Sequence, residues 1–155
     1  SIHRGEKGEP GEITGLIQYE QDKIIGEISY NGVEGIQGSI TNEQWTSENE
    51  YAPIPIGFKQ DLELGEAFII SDVTGESEEY AVEIIDINYN NTQSKKSMTI
   101  KVTDERLLEL TGGIVQGMSG SPIVQNGRIV GAVTHVLVND PEKGYGIFIE
   151  NMLDH

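Results

Sequence analysis

The stretch Gly112-Gly-Ile-Val-Gln-Gly-Met-Ser-Gly-Ser-Pro122 decides the reading of this chain, together with the Ile123-Val-Gln-Asn-Gly-Arg-Ile-Val-Gly-Ala-Val133 that follows it. Gly112, Gly113, Gly117 and Gly120 crowd around Ser119 and Ser121, and Pro122 ends the run. The next segment reads as a β-hairpin. Two apolar runs flank Asn126-Gly127, a two-residue turn whose twist matches that of paired strands. A serine that presents its Oγ beside free backbone N–H groups needs a tight turn, and glycine permits the backbone angles that side chains forbid. Such N–H groups can face the oxyanion that forms when Oγ attacks a carbonyl. Ser119, between Met118 and Gly120, takes the nucleophile position. The N–H groups of Gly117 and Ser119 are the expected oxyanion donors, and Ser121 is the small residue before Pro122. The alternative is a glycine-rich loop that merely joins two strands. A bare Gly-x-Ser-Gly would favour that alternative; the longer string favours the nucleophile.

Outward from this turn the pattern is all-β. Glu12–Tyr19 and Lys23–Tyr30 are short, β-branched segments separated by a polar turn. Ala67–Ile70 is an apolar strand, and Glu79–Asn88 places Tyr80, Val82 and Ile84 on one face by its period of two. Ser97–Val102 alternates in the same way, and Tyr145–Ile149 supplies the last strand. One short helix is expected near Asp104 to Leu110, and Asn88–Lys96 reads as a polar loop. About six strands follow Ile56, enough for one Greek-key barrel. The fold expected is a chymotrypsin-like Greek-key β-barrel, complete at the C-terminal end (residues 53–155), preceded by part of an N-terminal barrel (residues 1–52). The prolines of Tyr51-Ala-Pro-Ile-Pro55 disfavour central strand pairing and mark the boundary. A half-built first barrel leaves apolar surface open to dimerisation or strand exchange, hence to a homo-oligomer.

Composition bounds the partners. Against 10 Lys plus Arg stand 26 Asp plus Glu, a net charge of −16. Phosphate backbones are repelled, so nucleic acid is excluded as a partner, and an anionic membrane surface is unattractive for the same reason. The chain has no cysteine, which removes disulfides and thiolate metal sites. No calcium-loop order of carboxylates and no His/carboxylate metal cluster is visible, so neither a metal nor a cofactor is expected. No apolar run is long enough to cross a bilayer, and no basic-then-apolar leader is present. An anchor or export signal of the parent protein is therefore expected outside this chain.

The residues from Thr111 through Pro141, and again Gly144–Leu153, resemble the SpoIVB-type serine peptidases of family S55. Ile100–Leu108 shares the resemblance, and Gly5–Gly11 does so more weakly. The resemblance implies a secreted serine endopeptidase of sporulation with a His, Asp, Ser triad in that chain order. It would act between the forespore and mother-cell membranes, cleaving a membrane-associated regulator and itself. Ser119 matches the family nucleophile, and Asp104 in Val-Thr-Asp matches the family aspartate. The family histidine stands in a Gly-His segment, and no Gly-His dipeptide occurs here. Serine hydroxyl is a weak nucleophile until a base within reach takes its proton. The chain by itself is therefore expected to be close to inert towards peptides.

Other residues weigh on these assignments. His135 ends the apolar run Ile129–His135 and is expected to line the substrate pocket; the plainer alternative is a strand-end histidine holding one backbone hydrogen bond. His3 and His155 lie at the chain ends and read as solvated side chains. Asp104 precedes Glu-Arg-Leu-Leu-Glu-Leu110 and is also a good helix N-cap. In trypsin-like folds the acid usually comes from far upstream of the serine, so another carboxylate is the alternative; the family match favours Asp104. A second functional class stays open: a non-catalytic β-barrel that keeps the serine loop as scaffold and binds a peptide by adding a strand.

Overall fold

The alternation Tyr80, Val82, Ile84 governs the core, since a strand with one buried face must return that face every second residue. In the computed structural model, which describes residues 2–3, 11–13, 24–48, 52–90 and 94–153, these three side chains are 1%, 2% and 0% exposed. They sit on β6 (Glu78–Ile87), between β5 (Gly65–Ser71) and β7 (Met98–Val102). Ala67 and Ile69 of β5 and Met98, Ile100 and Val102 of β7 meet them from either side, all buried. The three strands form one antiparallel meander. A second meander comprises β8 (Pro122–Gln125), β9 (Arg128–Leu137) and β10 (Asp140–Phe148).

The two meanders close on each other. β5 pairs with β8 through Phe68–Val124 and Ile69–Ile123, and β7 pairs with β10 from Met98–Gly146 to Lys101–Lys143. The order β10-β7-β6-β5-β8-β9 is a closed six-stranded antiparallel barrel. Closure leaves no free sheet edge. Gln125, buried, crosses the β5–β8 seam: its Oε1 accepts from the Glu63 N–H at 3.0 Å and its Nε2 lies 3.0 and 3.1 Å from the Glu63 and Glu66 carbonyls.

The hairpin turn lies where the Asn-Gly pair puts it. Asn126 and Gly127 have φ of 51° and 73°, and Gln125 stands opposite Arg128. Two positive φ values in succession are the mark of the I′ turn. The short helix is α2, Glu105–Thr111, and its buried Leu107 packs into the core beside Ile114, Val115 and Met118.

Ahead of the barrel, β1 (Ile2–His3) pairs with β2 (Glu12–Ile13), and β3 (Gly26–Asn31) pairs with β4 (Ile36–Ile40), as separate two-stranded sheets. The strand expected over 12–19 is described only at Glu12–Ile13; positions 14–23 lie outside the described residues. A short helix α1 (Glu43–Glu48) follows β4. On β4 the period of two puts Ile36 and Ile40 on the face of Gly38, which stands opposite Ile28. These three isoleucines are 55–64% exposed.

Two expectations need correction. The last strand is longer than Tyr145–Ile149 and starts at Asp140, and Ile149 opens a helix, α3 (Ile149–Leu153). The reason is tertiary. The Glu150 carboxylate accepts the Lys59 N–H at 2.8 Å, and the Met152 carbonyl accepts Gln37 Nε2 at 2.9 Å, so the chain curls back towards β4. The expected Asn88–Lys96 loop contains a 3-10 turn at Ser94–Lys96, and its positions 91–93 lie outside the described residues. Among the described residues no helix is long and apolar enough to cross a membrane.

Candidate active site

Ser119 is held by a turn whose ends are tied to the barrel. Gly112 caps α2 in the left-handed region, its N–H donating to the Leu108 carbonyl. Gly113 follows with φ 131°, and a Cβ there would strike the Pro141 carbonyl oxygen. That close approach lets the Ile114 N–H donate to Pro141 O at 2.8 Å and anchors the loop on β10. Thr111 locks the corner: its buried Oγ1 lies 2.9 Å from the Leu107 carbonyl and 2.6 Å from that of Gly113. Ile114, Val115 and Met118 point into the core, and Gln116 and Gly117 return to the surface.

The serine stands at the next bend. The Ser121 N–H donates to the Met118 carbonyl at 3.0 Å, closing a β-turn with Ser119 and Gly120 at its centre. Gly120 has φ 95°, and a type II turn requires positive φ at that position. The Gly120 N–H then donates to Val133 O at 2.8 Å, and the Val133 N–H to Ser121 O at 2.9 Å, so the turn is fastened to β9. Ser119 is exposed, and its Oγ donates to the Thr134 carbonyl at 2.7 Å. Among the described residues no backbone acceptor takes the N–H of Gly117 or of Ser119.

Two cavities flank the serine. One, of about 310 Å³, is lined by Gly117, Ser119 and His135 together with Ile114, Val115, Val136 and other residues of the loop and β9. The other, of about 480 Å³, is lined by Ser119, Gly120 and His135, by Lys95 and Met152, and by the β3–β4 hairpin tip from Gly32 to Ile36. His135, exposed on β9 opposite Tyr145, borders both. The structure thus brings Ser119, Gly117 and His135 to one place.

Asp104 is elsewhere and lines neither cavity. It is the N-cap of α2: its Oδ1 accepts the Arg106 N–H at 3.0 Å, and its Oδ2 accepts the Ala81 N–H at 3.1 Å. Arg106 Nε and Nη2 add contacts of 3.1 and 2.9 Å. Hydrogen bonding to the Arg106 guanidinium, supported by the Ala81 and Arg106 backbone N–H groups, lowers its pKa to about 2 against the cost of burial. The carboxylate meets these donors and neither Ser119 nor His135. The side chain of His3 and all of His155 lie outside the described residues.

Sequence reasoning missed three contributors to the site. The Thr134 carbonyl carries no side-chain signal at all. Lys95 reaches the site because Thr134 Oγ1 donates to the Lys95 carbonyl at 2.7 Å, a contact between positions 39 apart. The hairpin tip had a local cue in Asn31-Gly32, a dipeptide that favours turns. Its position beside Ser119 depends on Gln37 and Met152, far apart in the chain.

The geometry invites comparison with known proteins. The Rv3671c protease from M. tuberculosis in its active form superposes with a TM-score of 0.59 at 16% identity, over 88% of this chain and 59% of that one. An inactive form carrying a serine-to-alanine substitution gives 0.58 at 14% identity, over 88% and 65%. A further inactive form gives 0.57 at 15%, over 86% and 67%. At such identities the likeness speaks for the fold, and the chain spans less than two thirds of the first two of these structures. No curated protein matches the sequence. The sequence itself matches the family described as SpoIVB peptidase S55 over residues 1–153. A closed antiparallel barrel with an exposed serine on a glycine-bounded turn is therefore accompanied by a match along nearly the whole chain, and the chain belongs to the SpoIVB peptidase S55 family.

Proposed function

We propose that this chain carries the nucleophile and oxyanion cradle of a serine endopeptidase. The observation that supports it most directly is the exposed Ser119 Oγ on a tight turn, beside the N–H groups of Gly117 and Ser119 that no described backbone acceptor occupies. Attack of Oγ on a peptide carbonyl would place the new oxyanion at those two donors, worth about 3–4 kcal/mol for one such donor. His135, which borders both cavities, takes a substrate-binding role. A general base within reach of Ser119 Oγ is still required, and a neutral imidazole supplied from the family's Gly-His segment in the parent protein would meet the need. The isolated chain hydrolyses little in this reading.

The parent's task follows the family: cleavage of a membrane-associated regulator, and of itself, outside the cytoplasm during sporulation. Self-association through the first barrel belongs to the same reading, supported by the exposed face of Ile28, Ile36 and Ile40. In the complete parent, Ser119→Ala should abolish cleavage of the regulator and of itself. Unchanged processing would remove the nucleophile assignment.

One observation favours a second reading. The Ser119 proton is already given to the Thr134 carbonyl, as suits a barrel that only binds peptides. Rapid labelling of Ser119 by a fluorophosphonate in the complete parent would exclude this binding-only role.

A further inference from the structure

The closed barrel has no edge of its own, yet a short extended segment lies against it and brings one. Ile56 forms a parallel bridge with Ile129 of β9. The Ile129 N–H donates to the Pro55 carbonyl at 2.8 Å, and the Gly57 N–H donates to the Ile129 carbonyl at 2.9 Å. Successive residues of an extended chain turn their N–H and C=O groups to opposite sides, and a residue before proline is held extended. Pro55 and Gly57 therefore face β9, while Ile54 and Ile56 turn their groups away from it. Among the described residues neither of these two N–H groups has an acceptor, and the Ile56 carbonyl holds only Arg128 Nη1, at 3.3 Å. Prolines commonly blunt an exposed edge by removing a donor from it. Here Pro53 and Pro55 take the positions that face β9, so the outer edge keeps its donors. Every residue from 52 to 60 except Gly57 is exposed, and none of them lines either cavity beside Ser119.

The side chains along this edge are apolar. Ile54, Ile56 and Phe58 are 40%, 37% and 44% exposed. Bridged residues share a face, so Ile56 heads a row that crosses Ile129 and Val124 to Phe68. The row lies outside the barrel: Val124 is buried without belonging to the core cluster, and Phe68 is exposed. A strand added beside Ile56 would lengthen the row by one apolar side chain. Arg128 now holds that place. Its stem passes Gly57, where a Cβ would stand 3.2 Å from Arg128 Cβ, and its one long bond to the Ile56 carbonyl is what an incoming N–H would replace. A net charge of −16 draws a cationic segment to the chain and repels an acidic one.

We propose that the edge from Ile54 to Phe58 is a docking strand, separate from the serine, which takes up an extended cationic protein segment with apolar residues at alternate positions. The segment adds as an antiparallel strand, the pairing that is slightly stronger per residue. The residue opposite Ile56 then exchanges both backbone bonds with it and shares its face, so its side chain is the apolar one.

The test is a titration of the chain with the capped peptide Lys-Val-Thr-Val-Thr-Val-Lys, followed by NMR. Chemical-shift changes should fall on Ile54, Ile56, Phe58 and Ile129. The same peptide N-methylated at its valines loses the bonds to the edge and should bind at least about tenfold more weakly. The version with Glu at both ends should also bind at least about tenfold more weakly at low salt. Ile54→Lys, at an exposed side chain outside the core, should weaken the parent peptide by a similar factor. Ser119→Ala should leave its affinity unchanged. No binding at millimolar peptide, shifts confined to the Ser119 cavities, or equal affinity of the N-methylated peptide would overturn the proposal. So would a folded Ile54→Lys chain that binds as before. A dimer that sediments with the wild-type chain and dissociates in Ile54→Lys would assign the edge to a second copy and overturn it too. Cleavage by the parent protein plays no part in these readouts, so the docking edge and the nucleophile fail separately.

Discussion

Ser119 Oγ and the carbonyl oxygen of Thr134 are 2.7 Å apart, and the serine hydroxyl donates to that carbonyl. A hydroxyl with its proton on a backbone acceptor is held at rest. For attack on a carbonyl, the proton must leave Thr134 for a nitrogen base within reach.

The first prediction concerns that bond. Ser119→Ala in this chain removes one exposed hydrogen bond and should lower stability by less than about 1 kcal/mol. In the complete parent the same substitution should reduce cleavage by roughly 10⁴-fold or more. Urea unfolding of the variant chain and a processing assay on the parent separate the two effects. A stability loss above about 2 kcal/mol would mean that the hydroxyl is chiefly structural.

Asp104 gives the second prediction, and its sign follows from its lowered pKa. The folded value is about 2, against roughly 3.9 for an unperturbed carboxyl. The stabilisation is thus fully present above about pH 4 and is lost as pH falls towards 2. With allowance for solvent screening it amounts to about 1–2 kcal/mol. Asp104→Ala should cost about that much at neutral pH, including the lost cap. The difference between wild type and variant should shrink between pH 4 and pH 2 in denaturant titrations.

Gly113 supplies the third. Its φ of 131° and the Pro141 carbonyl in the path of a Cβ leave no room for a side chain. Gly113→Ala should destabilise by about 2–3 kcal/mol and displace the loop that carries Gly117. At Gly120, where a Cβ meets open space, alanine faces only the strain of φ 95° and should cost about 1 kcal/mol. Thermal melts of the two variants should therefore rank Gly113→Ala well below Gly120→Ala.

Gln125 supplies the fourth. Its amide bonds to Glu63 and Glu66 join the approach to β5 with β8. Gln125→Leu keeps the volume and loses the polar contacts, at about 1–3 kcal/mol. Because β5–β8 is one of the two seams between the meanders, amide hydrogen exchange should accelerate first along Phe68 and Ile69. Acceleration confined to β10 would contradict this.

The legible and illegible parts of the site divide within a few residues of each other. The turn at Ser119, its glycine of positive φ and the hairpin at Asn126-Gly127 were readable because each depends on backbone preferences of adjacent residues. Asp104 shows the limit of local reading. Its string fits both a triad acid and an N-cap, and only the fold shows which donors it meets: the Arg106 N–H of its own helix and the Ala81 N–H delivered by β6. Likewise Ile149 reads as more strand but opens a helix whose Glu150 carboxylate accepts the N–H of Lys59, ninety-one positions distant.

The amino-acid sequence by itself determined the six alternating strands, the serine on its turn and the family, since periodicity and turn chemistry act over two to four residues. Only the tertiary structure decided that Thr134 receives the serine proton, that Asp104 caps α2 away from both cavities, and that Lys95 and the β3–β4 hairpin tip stand beside Ser119. Those facts arise where the serine turn meets β9, where Asp104 meets β6, and where the β3–β4 hairpin tip approaches the turn. Closing the barrel juxtaposes residues tens of positions apart, and no local preference encodes that meeting.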